Sequence, residues 1–285
     1  MDLNLLNNNH FHTFSIAGSK NDYELFSFVH DGKIFKDAPC CGMTLRKAGS
    51  MRFRWDEVNP SRDKMLSKII SCIAENKALI APLELIHSHI VYDISSPLDT
   101  KNKTGDGMIT IKPDLMPVVT VADCMPLFLY DRVTGVYGIV HSGWKGTGIA
   151  VDAITLAEKN YGSKAEDFSV ILGPHINDCC YIVNEERAEF FRTNFTPECV
   201  SDYVSIAGEE KIKWDNGGGK LYRLSLLKAN LYALLKAGVR EENISYCVDC
   251  TACNTVFGSN RRETMESKNF TVQAAFISGH FLQAK

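Results

Sequence analysis

No stretch of this 285-residue sequence stays apolar long enough to cross a bilayer as a helix; the greasiest, residues 117–130, is short and is interrupted by Asp123. Neither sign of charge is in excess. The 31 Lys+Arg stand against 34 Asp+Glu, a formal −3, so no basic surface calls for nucleic acid as a partner. The first ten residues carry an acid where an export signal carries base, and asparagines where it is apolar. Repeats, low-complexity tracts and charge blocks are missing as well. The simplest expectation is one domain over residues 1–285, loosely ordered over residues 1–20, in a cytoplasmic protein with neither membrane nor nucleic acid as partner. Asp215-Asn216-Gly217-Gly218-Gly219 reads as a surface loop.

Cysteine, by contrast, is plentiful. Ten cysteines without an export signal are expected to be reduced thiols, available for burial, reaction or metal binding. Around them, strand and helix patterns alternate. Asp31-Gly32 supplies the positive φ angles of a tight hairpin between residues 26–30 and 33–35. Ser61, after Asn59-Pro60, is expected to cap a helix whose Leu66, Ile69, Ile70 and Ile73 share one face. Residues 85–92 read as a strand, whose period of two turns His87 and His89 to the same side. Residues 118–121 and 136–140 read as strands that end near Cys124 and at His141. A helix closed by Gly162 follows the glycine-rich residues 143–148, and a leucine-striped one stops at Gly238. This mixture implies an α+β (mixed α/β) layered domain.

His89, Cys124 and His141 form a good zinc set. Three protein ligands leave the fourth position to water or substrate, and such zinc lowers the pKa of bound water to about 7 or polarises a substrate atom. The same residues suit a nucleophile pair, with Cys124 attacking and His141 or His89 taking its proton. Two histidines and a cysteine beside Met125 also match a blue-copper set, although no short ligand loop joins Cys124 to His141. Spacing alone leaves these readings open. Cys247, Cys250 and Cys253 lack a matching second pair at zinc-ribbon spacing and are expected to be buried thiols near the cleft, with Cys179-Cys180 expected to be packing.

Thr120-Val121-Ala122-Asp123-Cys124-Met125-Pro126-Leu127, then His141-Ser142-Gly143-Trp144-Lys145-Gly146, then Gly173-Pro174-His175-Ile176-Asn177-Asp178-Cys179-Cys180-Tyr181-Ile182-Val183 follow one another as in the laccase-domain, or polyphenol-oxidase-like, family. The sequence resembles that family from about Thr44 to Ile277, through Asp106-Gly107-Met108-Ile109-Thr110, Asp249-Cys250-Thr251-Ala252-Cys253 and Phe257-Gly258-Ser259-Asn260-Arg261-Arg262. The resemblance implies a single-domain layered sandwich like that of the cytotoxic-necrotizing-factor-like cysteine hydrolases, with zinc on His89, Cys124 and His141. It further implies purine nucleoside phosphorylase activity, with adenosine deaminase and methylthioadenosine phosphorylase activity beside it. Purine nucleosides and phosphate would be the substrates. The family's copper laccase label and its peptidoglycan-editing role keep a copper polyphenol oxidase and a Cys-His hydrolase of a cell-wall precursor as alternatives.

Three departures from the family pattern bear on the site. The family's Gln two residues before the first ligand is His87 here, its Arg-x-Gly-Gly turn is Arg46-Lys47-Ala48-Gly49, and its Ser-Tyr-Arg-Arg is Ser259-Asn260-Arg261-Arg262. A guanidinium grips phosphate through two parallel hydrogen bonds, so Arg46 is the expected phosphate-holding catalytic residue, with Arg261 and Arg262 behind it. His87, Trp144, Lys145 and Gly146 complete the substrate-binding candidates. His87 would assist the metal, replace the amide's hydrogen bond or compete for zinc, Trp144 would stack on a base, and the amides of residues 146–148 would offer an anion site where a helix begins.

Overall fold

Strand Met125–Asp131 alternates between two cores, with Leu127 and Leu129 turned to helices while Phe128 and Tyr130 meet a second sheet. In the computed structural model, which describes residues 11–74, 77–203, 219–267 and 269–281, this strand lies in the middle of a seven-stranded sheet. The order there is His12–Phe14, Ile244–Cys247, Phe168–Leu172, Met125–Asp131, Tyr137–Ser142, Gly107–Thr110, Val91–Asp93. Helices Ile149–Tyr161 and Leu226–Ala237 cover one face, burying Ile149, Ala153, Ile154, Leu231 and Leu234 on Leu127, Leu129 and Val170. A five-stranded sheet, ordered Tyr23–Phe26, Pro39–Thr44, Gln273–Phe281, Leu115–Val121, Leu79–Pro82, covers the other through Met43, Val119, Ala275 and Ile277. Helix Pro60–Ile73 closes its far side, packing Leu66, Ile69 and Ile73 on Met116, Val118 and Phe276. The result is the expected α+β layering, here helix, sheet, sheet, helix.

Local chemistry accounts for most element boundaries. The hairpin Val29–His30/Lys33–Ile34 turns on Asp31 (φ 47°) and Gly32 (φ 70°). Gly162 and Gly238 end their helices in the left-handed conformation. The first helix is capped differently from the expectation: Asn59, not Ser61, accepts the Arg62 amide, because Pro60 fills the first helical position where an amide would have no partner. Residues 1–10 of the stretch expected to be loose lie outside the described residues. His12–Phe14, within that stretch, instead pairs in parallel with Ser245, Tyr246 and Cys247. Residues 215–218 of the expected glycine loop are likewise outside the described residues. Among the described residues no helix is long and apolar enough to cross a membrane.

Leu115–Val121 belongs to the smaller sheet and Met125–Asp131 to the larger. Residues 122–124 therefore carry the chain from one sheet to the other, and Cys124 sits at the seam.

Candidate metal centre and cavity

Crossing between sheets in three residues forces a sharp turn, and Asp123 takes a φ of 81°, which a residue with a side chain rarely adopts. Its buried carboxylate holds the turn by accepting from Thr251 Oγ1 and from the Arg261 amide, both at 2.6 Å. Cys124 is thereby presented to His141, on strand Tyr137–Ser142, and to His87. His87, Cys124 and His141 bring one ligand atom each within 4.8 Å of one another, with His87 Nε2 at 3.8 Å from Cys124 Sγ. That spacing suits a single ion with nitrogens at about 2.0–2.1 Å and a sulfur at about 2.3 Å.

A buried carboxylate sets the geometry of the cluster. Asp106 Oδ1 accepts from His141 Nδ1 and from the His87 amide, each at 2.9 Å, while Oδ2 accepts from the Ser88 amide at 2.5 Å and from Ser88 Oγ at 2.6 Å. Fixing Nδ1 as a donor leaves His141 Nε2 for Cys124, the arrangement in which carboxylates orient metal-binding histidines. Gly143 closes the other side: a Cβ there would stand 2.7 Å from His87 Cδ2 and 3.1 Å from Cys124 Sγ. Burial alone would push the Cys124 thiol up, but the charge and hydrogen bond of His141, then those of His87, bring it down to about 6. Burial lowers His141 in turn, yet the facing thiolate and Asp106 raise it to about 9. Metal-free protein should hold a thiolate–imidazolium pair between those limits. Alkylation of Cys124 by iodoacetamide after chelation is expected to reach half its maximal rate near pH 6. A midpoint near the ordinary thiol value of about 8.5 would contradict the pairing.

The structure redistributes the residues singled out in the sequence. His89 is not in the cluster. The expected strand over residues 85–92 shortens to Val91–Asp93, because His87 turns to a φ of 60° while its amide and that of Ser88 bind Asp106. The two histidines consequently do not share a face. His89 is half exposed and donates from Nδ1 to Asp152 at 2.6 Å and from Nε2 to the Lys145 carbonyl at 3.1 Å. Asp152 raises its pKa, favouring an imidazolium with no lone pair for a metal. His87, expected to assist the metal, replace an amide's hydrogen bond or compete for zinc, occupies the third corner.

Arg46 also lies elsewhere, paired with Glu263 at 3.0 Å in a separate hollow lined by Ser19, Lys47 and Thr255. Arg262 is a loop clamp whose Nη1 donates to the carbonyls of Thr251, Ala252 and Asn254. Gly146 is a close-packing residue, since a Cβ there would meet the Ser88 carbonyl oxygen at 2.9 Å. At the helix start beside it the Gly148 amide donates to Asn230 Oδ1 and the Ile149 amide to the Gly146 carbonyl. Met125 packs in the core under the helices. Cys179 and Cys253, expected to be buried or packing, are exposed and gather with Cys180 and Cys250.

The His87–Cys124–His141 cluster opens into a cavity of about 590 Å³. Trp144, Lys145 and Arg261 line it as expected, and Phe53, Arg54, Tyr181, Arg187, Asn260 and Phe270 join them. The Arg187 guanidinium lies 4.4 Å from the Trp144 ring centroid and Lys145 Nζ lies 5.3 Å from it, so the indole anchors two cations beside the cavity. Arg261 donates to the carbonyls of Cys180 and Ile182 from the cavity wall. Sequence reading missed Arg187 and gave Asp106 no role. An acid immediately before the wholly buried strand Gly107–Thr110 is the signal that would have found Asp106.

Comparison with known proteins agrees with this architecture. The multi-copper polyphenol oxidoreductase laccase family matches residues 43–278. A purine nucleoside phosphorylase of Borreliella burgdorferi is 31% identical over 153 residues, 53% of this chain and 65% of that protein. The purine nucleoside phosphorylase YlmD of Geobacillus stearothermophilus is 30% identical over 161 residues, 55% of each chain. The alignments thus span between about half and two thirds of these relatives' lengths. The crystal structure of the Bacillus licheniformis hypothetical protein YfiH superposes with a TM-score of 0.70 at 23% identity, covering 84% of this chain and 92% of that one, a likeness of fold. With the family matched across the two sheets, the seam and the cavity wall, the chain belongs to the multi-copper polyphenol oxidoreductase laccase family.

Proposed function

We propose that this chain is a zinc-dependent purine nucleoside phosphorylase, acting as one domain, that also deaminates adenosine and cleaves methylthioadenosine at the same site. The observation that carries this reading is the opening of the His87–Cys124–His141 cluster into a cavity that also holds Lys145 and Arg187. A metal site and an anion site then share one chamber, of a volume within the range of about 300–1,000 Å³ that small-molecule ligands occupy. His87, Cys124 and His141 would hold the zinc, which supplies a Lewis acid when bound. The placement of Met125 in the core, away from the cluster, favours zinc over a blue-copper arrangement with an axial methionine.

Phosphorolysis forms a bond from a phosphate oxygen to the anomeric carbon and breaks the bond from that carbon to the purine, whose nitrogen keeps the electron pair. Lys145 and Arg187, steadied against Trp144, are suited to hold the phosphate. Phe53, Tyr181 and Phe270 offer rings for the base, and Asn260 a hydrogen-bonding edge. The test is mass-spectrometric product analysis of purified protein with adenosine, with and without phosphate. Adenine and ribose 1-phosphate are expected only when phosphate is present, with inosine as the deamination product. Absence of all three, in protein whose metal is bound, would sink the proposal.

One observation favours a second reading. Asp106, His141 and Cys124 are connected as orienter, base and nucleophile, the order a Cys-His hydrolase uses. Only that chemistry would trap a covalent acyl adduct on Cys124 from a cell-wall precursor.

A further inference from the structure

Four thiols gather in a cluster distinct from His87, Cys124 and His141, with Cys179 and Cys253 exposed, Cys180 half-buried and Cys250 buried. Cys179 and Cys180 lie in the turn after Gly173-Pro174, and Cys250 and Cys253 lie at the ends of a Cys-x-x-Cys turn; the two turns are joined by a parallel bridge between His175 and Cys250. Their sulfurs all lie within 4.8 Å of one another. Cys180 and Cys253 are 3.2 Å apart, Cys179 and Cys253 3.6 Å, and Cys179 and Cys180 3.9 Å.

We propose that Cys179, Cys180, Cys250 and Cys253 form a second, structural zinc site with four thiolate ligands. Four sulfurs placed tetrahedrally about 2.3 Å from one ion stand about 3.8 Å apart, the separation to which three of these pairs already approximate. A disulfide would need about 2.05 Å. A polynuclear iron–sulfur cluster would hold its cysteines outside a core of several irons and sulfides, farther apart than thiols in mutual contact. Two features of the surroundings support the ligand role. The Asn177 amide donates to Cys250 Sγ at 3.4 Å, a backbone contact that steadies a thiolate. The Arg223 and Arg261 guanidiniums donate to the carbonyls of Cys179 at 2.8 Å and Cys180 at 2.7 Å, placing positive charge beside the cluster. Loading converts four thiols to thiolates, releases four protons and leaves a complex of charge −2, which those arginines offset. The ion would pin together the two turns that flank Tyr181 and Arg261 in the cavity wall. It is separate from the proposed chemistry, so it can stand or fall without it.

The experiment is metal analysis of the full chain, in wild type, in Cys179→Ser/Cys253→Ser and in His87→Ala/Cys124→Ser. The last variant removes the first cluster, and retention there of one equivalent of zinc is expected. The Cys179→Ser/Cys253→Ser variant should lose one equivalent relative to wild type and melt several degrees lower. Because that variant can fail to fold, His87→Ala/Cys124→Ser is also titrated with an organomercurial under native conditions, where release of its zinc should accompany modification of Cys179, Cys180, Cys250 and Cys253, identified by peptide mass. Cobalt substitution of His87→Ala/Cys124→Ser should show the visible bands and sulfur-to-metal charge transfer of a tetrahedral tetrathiolate. The proposal is overturned by unchanged metal content in a folded Cys179→Ser/Cys253→Ser variant, by a mass 2 Da low from a disulfide among these residues, or by iron with sulfide in place of zinc.

Discussion

If the proposed function holds, replacement of His87 by alanine is expected to remove one equivalent of metal and to lower nucleoside turnover more than about 100-fold, whereas His89→Ala keeps the metal. The magnitude follows from what ligand surroundings are worth: losing a partner behind a ligand costs about 10–100-fold in metal affinity, and losing the ligand itself costs more. The direction follows from geometry. His87 Nε2 stands 3.8 Å from Cys124 Sγ, while both ring nitrogens of His89 are committed to Asp152 and to the Lys145 carbonyl. Metal analysis of the two purified variants decides the matter. Loss of metal in His89→Ala with retention in His87→Ala would return the ligand role to the residue favoured by family position.

Asp106→Ala should be the most disruptive single change near the cavity. The carboxylate is fully buried and takes five hydrogen bonds, four of them from the segment that carries His87. Its removal leaves His141 Nδ1, Ser88 Oγ and the amides of Ile86, His87 and Ser88 without their acceptor, and an unpartnered buried donor costs about 1–3 kcal/mol. A loss of about 3–5 kcal/mol is expected, the scale of breaking a buried charge pair from one side. Urea unfolding would show it as a lower midpoint with an unchanged slope. Asp106→Asn keeps the shape and one acceptor oxygen, so it should fold better yet still bind metal at least about tenfold more weakly, because an amide orients His141 less strongly. Equal stability of wild type and Asp106→Ala would show that the carboxylate does not hold the turn.

The helices closed by Gly162 and Gly238, the Asp31-Gly32 hairpin and the alternating strands around Cys124 and His141 were legible because each is written in neighbouring residues. Cys124 and His141 were therefore found as a pair. His87 and His89 were exchanged for a local reason: an uninterrupted strand would put both on one face, and nothing within residues 85–92 announces the left-handed φ at His87. That conformation comes from Asp106, 19 residues away, whose carboxylate collects the amides of His87 and Ser88. Arg46 was misplaced for a similar reason. Its guanidinium suits phosphate wherever it lies, and only packing shows that Glu263 holds it in a different hollow.

The cysteines make the same point more sharply. A Cys-x-x-Cys turn with no second pair at ribbon spacing reads as isolated thiols, and an adjacent Cys-Cys reads as packing. Their meeting depends on the bridge between His175 and Cys250, a contact 75 residues long in sequence. By itself the sequence determined the α+β class, most of the helices and strands around the site, the family and the Cys124–His141 pair, because propensity, periodicity and contiguous motifs act over a few residues. Tertiary structure alone decided which histidine completes the cluster, which cations face the cavity and which thiols meet, because each depends on a buried partner brought from a distant part of the chain.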